Sequence, residues 1–358
     1  VADEKQGGGF PANTHVHLPP NFSAFSSVRQ AVDLAVDAGL SVLGASNYYD
    51  FRVYREFARY AGERGIFPLF GLEIVARDEE LAGEGVLVND PGNPGKVYLC
   101  GKGITRFVEP SPTAKALLTR IRAGDAKRMA EMVRRMSALF EDAGIPTGLA
   151  DADIITRVAD NAGCPVDHVV LQERHVARAF QEALFESAAE DRWDAVKALL
   201  GEPVPPRRAQ TVQNDIRSRF MKAGRPAFVE ESYVSVEEAV LLVRELGGLP
   251  CYPVLADGAT PISRFEETPE ALAENIARWG IRHAEFIPNR NEPEVLRRYA
   301  FGLREADILV TAGTEHNTPD LIPIVPACKG GVPIPEDVAD LFREGTEALV
   351  THQKGTEQ

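Results

Sequence analysis

Along the first part of the chain, to about position 110, short apolar runs alternate with longer stretches in which apolar residues return every three or four positions. That alternation predicts strands feeding helices, the βα units of a parallel sheet. The strand-like runs are 12–18, 41–46, 67–75 and 97–101, and the helical stretches between them include 27–38 and 52–64. In 27–38, Val28, Ala31, Val32, Leu34, Ala35 and Val36 form one broad face to bury. From Pro112 to about Leu200 strand-like runs almost vanish, and Ala, Leu, Arg and Glu dominate. Within that stretch 127–142 carries Met129, Met132, Val133, Met136, Leu139 and Phe140 at helical spacing, and Gly144 and Pro146 stop it. The methionines read as packing for an inserted helical body. The βα pattern then resumes with a helix over 235–246, a strand end at Pro253, strands over 283–287 and 308–312, and helices over 269–279 and 292–305. Thr268 before Pro269 has the form of an N-cap followed by proline at the first helical position. The expected fold is α/β: seven strands in a barrel built from residues 1–111 and 231–358, with a helical insertion over 112–230.

In a parallel barrel the chemistry collects at the C-terminal ends of the strands, and here those ends are polar. His15 and His17 stand one residue apart on the first strand, so both imidazoles point the same way and can grip one metal. Glu73 closes the third strand-like run, and Glu315 and His316 follow the last one. Imidazole with carboxylate is the donor mix of a divalent metal site, for zinc, manganese or iron. The net charge of -14 disfavours a nucleic-acid backbone as partner, although it leaves room for a small anionic substrate beside a metal and a few arginines. The 4 cysteines lack the spacing of a zinc ribbon or a disulfide framework, which makes a reduced, cytoplasmic setting the default. No apolar run reaches the ~20 residues of a membrane span. The polar start Val1 to Gln6 has no signal-peptide core, and the absence of an initiator methionine leaves open that a leader has been removed. The sequence does not set the oligomeric state.

The segments around His15 and His17, 43–50, Gly71 to Glu73, 96–101, 247–253 and Gly313 to His316 fall in the order that resembles the PHP (polymerase and histidinol phosphatase) family. The stretch from Gln172 to His175 is similar to the Arg-Pro-His run in the helical insertion of PHP phosphoesterases. The resemblance covers nearly the whole chain. It implies a distorted seven-stranded βα barrel and a metal-dependent hydrolase, mostly of phosphate esters, with up to three metals. Carried over residue by residue, the metal ligands would be His15, His17, Glu73 and either Glu315 or His316. The chain departs from the pattern where it matters for the other metals: Asn47 and Tyr48 replace Asp-His, Tyr98 replaces a histidine, and Tyr252 replaces the histidine of His-Pro. Phenols, with pKa about 10, are poor ligands for such ions at neutral pH. One divalent ion per chain is therefore expected, and a weaker general phosphatase than a multi-metal relative.

Tyr48, Tyr98 and Tyr252 read either as walls of the barrel mouth or as proton donors to a polyol. Glu285 reads as a hydrogen-bond anchor or a proton mover, and His175 as a contact from the insertion. Arg290, Lys96 and Asn47 are the candidate substrate contacts. The Gly/Pro cluster from Asn89 to Lys96 lacks the order of a P-loop and reads as a turn. Three functions remain open: a PHP-type hydrolase of a phosphoester or similar small polar substrate, a single-metal lyase or isomerase of a carbohydrate or hydroxy acid, and a non-catalytic binding module.

Overall fold

The computed structural model describes residues 12–187, 193–201 and 208–356; Val1 to Gln6, read above for a leader, lies outside them. Eight strands form: β1 (Ala12–Val16), β2 (Val42–Ala45), β3 (Phe67–Arg77), β4 (Lys96–Lys102), β5 (Val234–Ser235), β6 (Leu249–Val254), β7 (His283–Phe286) and β8 (Leu309–Ala312). Seven of them make a nearly closed barrel in the order β1-β2-β3-β4-β6-β7-β8, with the short β5 added beside β3. A bridge between Val16 and Glu315 joins the end of β8 back to β1.

The helices of the barrel follow their apolar faces. In α1 (Val28–Asp37) Val28, Ala31, Val32 and Ala35 are buried, and Ser27 caps the helix by accepting from the Gln30 amide. α2 (Tyr54–Glu63) and α3 (Glu79–Gly83) follow β2 and β3. After the insertion come α9 (Val236–Glu245), α10 (Pro269–Arg278), α11 (Pro293–Glu305) and α12 (Glu336–Thr356). Thr268 does cap α10, accepting from the Ala271 amide.

β4 is the exception to a parallel sheet, because it pairs antiparallel with both β3 and β6. A parallel return needs a crossover element to span the sheet. The five-residue α3 spans only ~8 Å at 1.5 Å per residue, too little to carry the chain back. The reversal places the start of β4, with Lys96 and Tyr98, opposite Arg77 and Val75 at the end of β3. It also puts Lys96, Tyr98, Cys100 and Lys102 on one face by the two-residue period, with Val97 and Leu99 on the other, in the core.

The insertion comprises α4 (Pro112–Asp142), α5 (Asp151–Ala162), α6 (Glu173–Ser187), α7 (Trp193–Leu200) and α8 (Ala209–Ile216). Helix α4 belongs to two bodies: Ala114, Leu117, Leu118 and Ile121 pack in the barrel core, whereas Met129, Met132, Val133, Met136 and Phe140 pack in a second core with Val176, Phe180, Val212 and Ile216. A rigid helix shared between cores fixes the insertion over the barrel mouth. No helix among the described residues is long and apolar enough to cross a membrane.

Candidate active site

At the end of β1 and on β3, three buried side chains converge. His15 Nε2 lies 3.3 Å from His17 Nε2, and Glu73 Oε2 lies 3.1 Å from His17 Nε2 and 3.5 Å from His15 Nε2. Such a convergence of acceptors in a buried place is unfavourable unless a cation is shared between them. Burial and the Lys102 charge lower the His15 pKa, but Glu285 and Glu73 outweigh them and raise it. Despite its burial, Glu73 is held well below the usual carboxylate range by hydrogen bonds from both histidines. Ligand atoms on a tetrahedral ion with bonds of about 2.1 Å stand ~3.4 Å apart, so the observed spacing fits a divalent metal.

The aim of His15 comes from beneath. Its Nδ1 lies 2.6 Å from Glu285 Oε2, and Glu285 Oε1 accepts from Thr14 Oγ1 at 2.6 Å and pairs with Lys102 Nζ at 2.7 Å. Lys102 also donates to Thr14 O at 2.8 Å and Ser46 Oγ at 3.0 Å. With Nδ1–H given to a carboxylate, the Nε2 lone pair is turned to the cluster. Burial would raise the Glu285 pKa, but Lys102 and His15 bring it down to about 2. Glu285 is thus ionised, and it does not line the cavity above. Gly313 allows this approach, since a Cβ there would stand 2.3 Å from His15 Cβ. Cys100 Sγ lies 4.0 Å from His15 Nδ1, but that nitrogen is already engaged by Glu285, which leaves it no lone pair for a second ion.

Above the cluster lies a cavity of about 430 Å³, lined by the barrel mouth and the insertion. Tyr48 donates to Glu73 Oε1 and stacks on His17 with ring centres 5.3 Å apart. Burial and Glu73 push its phenol well above its ordinary value. Tyr98 faces the same cavity, its pKa also raised by burial, and Lys96 Nζ stands 5.1 Å from its ring centre. Lys96 itself is matched by Glu231 at 2.7 Å and Asp90 at 3.4 Å.

Glu315 lines the cavity but stays outside the convergent group; it holds Arg290 Nη2 at 2.5 Å and accepts from Asn317 Nδ2 at 2.9 Å. Its backbone is left-handed, φ 61°, as is that of His316 at 52°. Such strain in non-glycine residues costs about 1–3 kcal/mol each and needs surrounding support. Here the support is a pair of backbone hydrogen bonds to β1, Glu315 N to His15 O and His17 N to Glu315 O, both 2.8 Å.

Four expected site residues lie elsewhere. His316 has both ring nitrogens engaged, with Thr314 Oγ1 at 2.6 Å and Ile322 O at 3.0 Å, and stacks on Phe25, so it has no free lone pair for a metal. Asn47 spends its amide on Leu18, accepting from N at 2.7 Å and donating to O at 2.9 Å; it ties the β1 and β2 ends together. His175 packs edge-on against Phe22 and accepts from the Gln172 amide, outside the cavity, and burial lowers its pKa to about 3. Tyr252 points away from the barrel interior, donating to Glu266 Oε1 at 2.7 Å beside Phe265 and Trp279.

Burial lifts Glu266 to about 7 against the hydrogen bonds of Tyr252, Ala256 and Leu255. A folded pKa above the unfolded 4.5 gives stability that is full below pH ~4.5 and declines as pH rises through ~7. Tyr252→Phe is expected to cost about 1–2 kcal/mol at pH 8 and less at pH 5, where Glu266 is protonated, with turnover unchanged. Urea melts at the two pH values check this.

Two cavity residues were not singled out by the sequence. Arg174, at the start of α6, approaches the Phe22 ring at 5.9 Å and has no carboxylate partner among the described residues. Burial and Arg217 lower its pKa to about 10, which leaves it cationic. Asp125 on α4 faces the cavity with its carboxyl lifted to about 6 by burial. Arg174 lies in the Gln172 to His175 stretch likened to the family's Arg-Pro-His run, whereas Asp125 belongs to no motif.

No family model matches the chain, and no curated protein matches it. Several solved structures share the fold, among them the following two. One is a candidate metal-dependent phosphoesterase from Bifidobacterium adolescentis, with TM-score 0.61 and 18% identity over 93% of this chain and 96% of that one. The other is an amidohydrolase from Chromobacterium violaceum with bound sulfate and no metal, with TM-score 0.58 and 19% identity over 92% of this chain and 96% of that one.

Proposed function

We propose that the chain is a metal-dependent hydrolase of the PHP type, acting on a small anionic substrate, foremost a phosphoester. The observation that carries the reading is the convergence of His15, His17 and Glu73 under a cavity in which Arg174 stands unpaired among the described residues. The descriptions of the two similar structures, a phosphoesterase and an amidohydrolase, support it. His15, His17 and Glu73 would hold one divalent ion, zinc, manganese or iron. When bound, such an ion polarises a substrate oxygen and acidifies water.

The chain's own residues orient the substrate. Arg174 offers its planar donors to the substrate's anionic group. Tyr48 keeps its proton and fixes Glu73. Glu315 and Arg290 neutralise one another at the rim, so Arg290 adds donors with little net charge. Tyr48 spends its hydroxyl proton on Glu73, which counts against its serving as the proton donor of the lyase or isomerase reading.

The test is turnover by the full chain, with manganese or zinc supplied, of a panel of phosphate monoesters, phosphate diesters and sugar acids. Phosphoester cleavage is expected, with Arg174→Ala raising KM at least ~30-fold, as loss of a charge-assisted hydrogen bond of about 2 kcal/mol would do. Metal-loaded protein that cleaves no phosphoester would sink the proposal.

A further inference from the structure

Besides His15 and Glu73, the cavity is lined by α4 and the segments around Lys222 and Glu231. The charges there are interlocked. Lys96 pairs with Glu231 and Asp90, Arg128 with Glu173 at 2.6 Å and Glu231 at 3.2 Å, and Lys222 and Arg217 with Glu173 at 2.8 and 3.5 Å. These four cations and three carboxylates leave one positive charge over, and Arg174, close to Arg217 and Glu173, adds another. Asp125 is the fourth carboxylate, and with it the cations still lead by one.

Asp125 lines the cavity, yet it makes no hydrogen bond and no ion pair with any described residue. Its position is fixed. On the helix it stands between Ile121 of the barrel core and Met129 of the insertion core. Next to it, Gly124 lets α4 close on Ser232, whose Oγ would stand 2.2 Å from a Cβ at position 124. Tyr49 lies close enough to feel its charge, and Phe228 and Tyr233 line the same cavity.

We propose that Asp125 accepts hydrogen bonds from neutral hydroxyl groups, so that the substrate carries a polyol, such as a sugar, in addition to its anionic group. This rests on the reading of His15, His17, Glu73 and Arg174 given above and names the substrate class of that same site. The two oxygens of a carboxylate accept from neighbouring hydroxyls of one ligand, and the C–H face of a sugar ring packs on an aromatic wall. An ammonium is the rival ligand, and charge balance decides against it. With Asp125 ionised the cations around it still outnumber the carboxylates, and a bound ammonium would add to that excess. Hydroxyls bring donors without charge.

The experiment is calorimetric binding to the full chain with manganese supplied, using glucose 6-phosphate, n-hexyl phosphate and 6-aminohexyl phosphate. Glucose 6-phosphate is expected to bind at least ~10-fold more tightly than hexyl phosphate, the worth of one or two hydrogen bonds. Asp125→Ala should erase that preference and Asp125→Asn should keep part of it, since an amide oxygen still accepts. A preference that survives Asp125→Ala overturns the proposal. So does tightest binding of the aminohexyl ester with its advantage lost in Asp125→Ala. Glucose 6-phosphate bound with an Asp125-dependent preference but no phosphoester hydrolysed would leave this proposal standing and remove the hydrolase reading. Hydrolysis of phosphoesters with no Asp125-dependent preference would do the reverse, and no binding by any of the three would end both.

Discussion

Replacing Lys102 by methionine is expected to cost about 3–5 kcal/mol of stability, the usual result of stranding a buried charge by removing its partner. Lys102 and Glu285 are both fully buried, 2.7 Å apart, and among the described residues the carboxylate is otherwise hydrogen-bonded to Thr14 Oγ1 and His15 Nδ1. Methionine fills much of the lysine volume, so the loss reports the charge and not a cavity. The pair need not be a net stabiliser. Lys102→Met combined with Glu285→Leu should recover most of the loss, because an apolar pair of similar size avoids the desolvation of two ions. Recovery of stability without recovery of metal affinity would separate the two duties of Glu285, neutralising Lys102 and aiming His15. Urea unfolding measures the first, and a loss below about 1 kcal/mol in the single variant would show that the buried charge is relieved in another way.

Lys102 also shows why part of this site was hidden in the sequence. A lysine on a strand ordinarily reads as an outward, solvated residue, and its burial here depends on a carboxylate from β7, far along the chain. The two-residue period does place it with Tyr98 and Cys100, but only the reversal of β4 turns that face toward β1, and a strand reads the same in either direction. The βα alternation and the change of pattern at Pro112 were legible because they are periodic and local. So was the donor set His15, His17 and Glu73, whose residue types and strand positions suffice to suggest an ion. What failed did so by a single residue. Cys251 pairs in register with Cys100 and faces the interior, so Tyr252 is turned to the outer layer. Arg174 and His175 differ by the ~100° that one residue turns on a helix, and that rotation separates cavity from packing. Glu315 reaches the cavity and His316 does not, because two left-handed residues in succession redirect the chain.

His15→Ala is expected to strip the metal from the protein and leave the barrel folded. The imidazole supplies one of three convergent atoms, and without it His17 and Glu73 remain as two ligands, too few for a site that holds its ion in dilute buffer. The fold should survive, since β1 keeps its pairing with β2 through backbone bonds at Ala12, Asn13 and Val16, and the Lys102–Glu285 pair remains intact below. Glu285→Gln separates ligation from orientation. The amide can no longer fix the tautomer of His15 as a carboxylate does, and loss of such support typically costs 10–100-fold in metal affinity. Elemental analysis of purified protein, with affinity measured by competition against a chelator, orders the three proteins: about one ion per chain in the wild type, weakened binding in Glu285→Gln and none retained in His15→Ala. Circular dichroism on the same samples guards against unfolding as the cause. Full metal content in a folded His15→Ala protein would place the ion elsewhere, and about three ions in the wild type would mean that Tyr48 and Tyr98 stand in a richer ligand set than the convergence of His15, His17 and Glu73 implies.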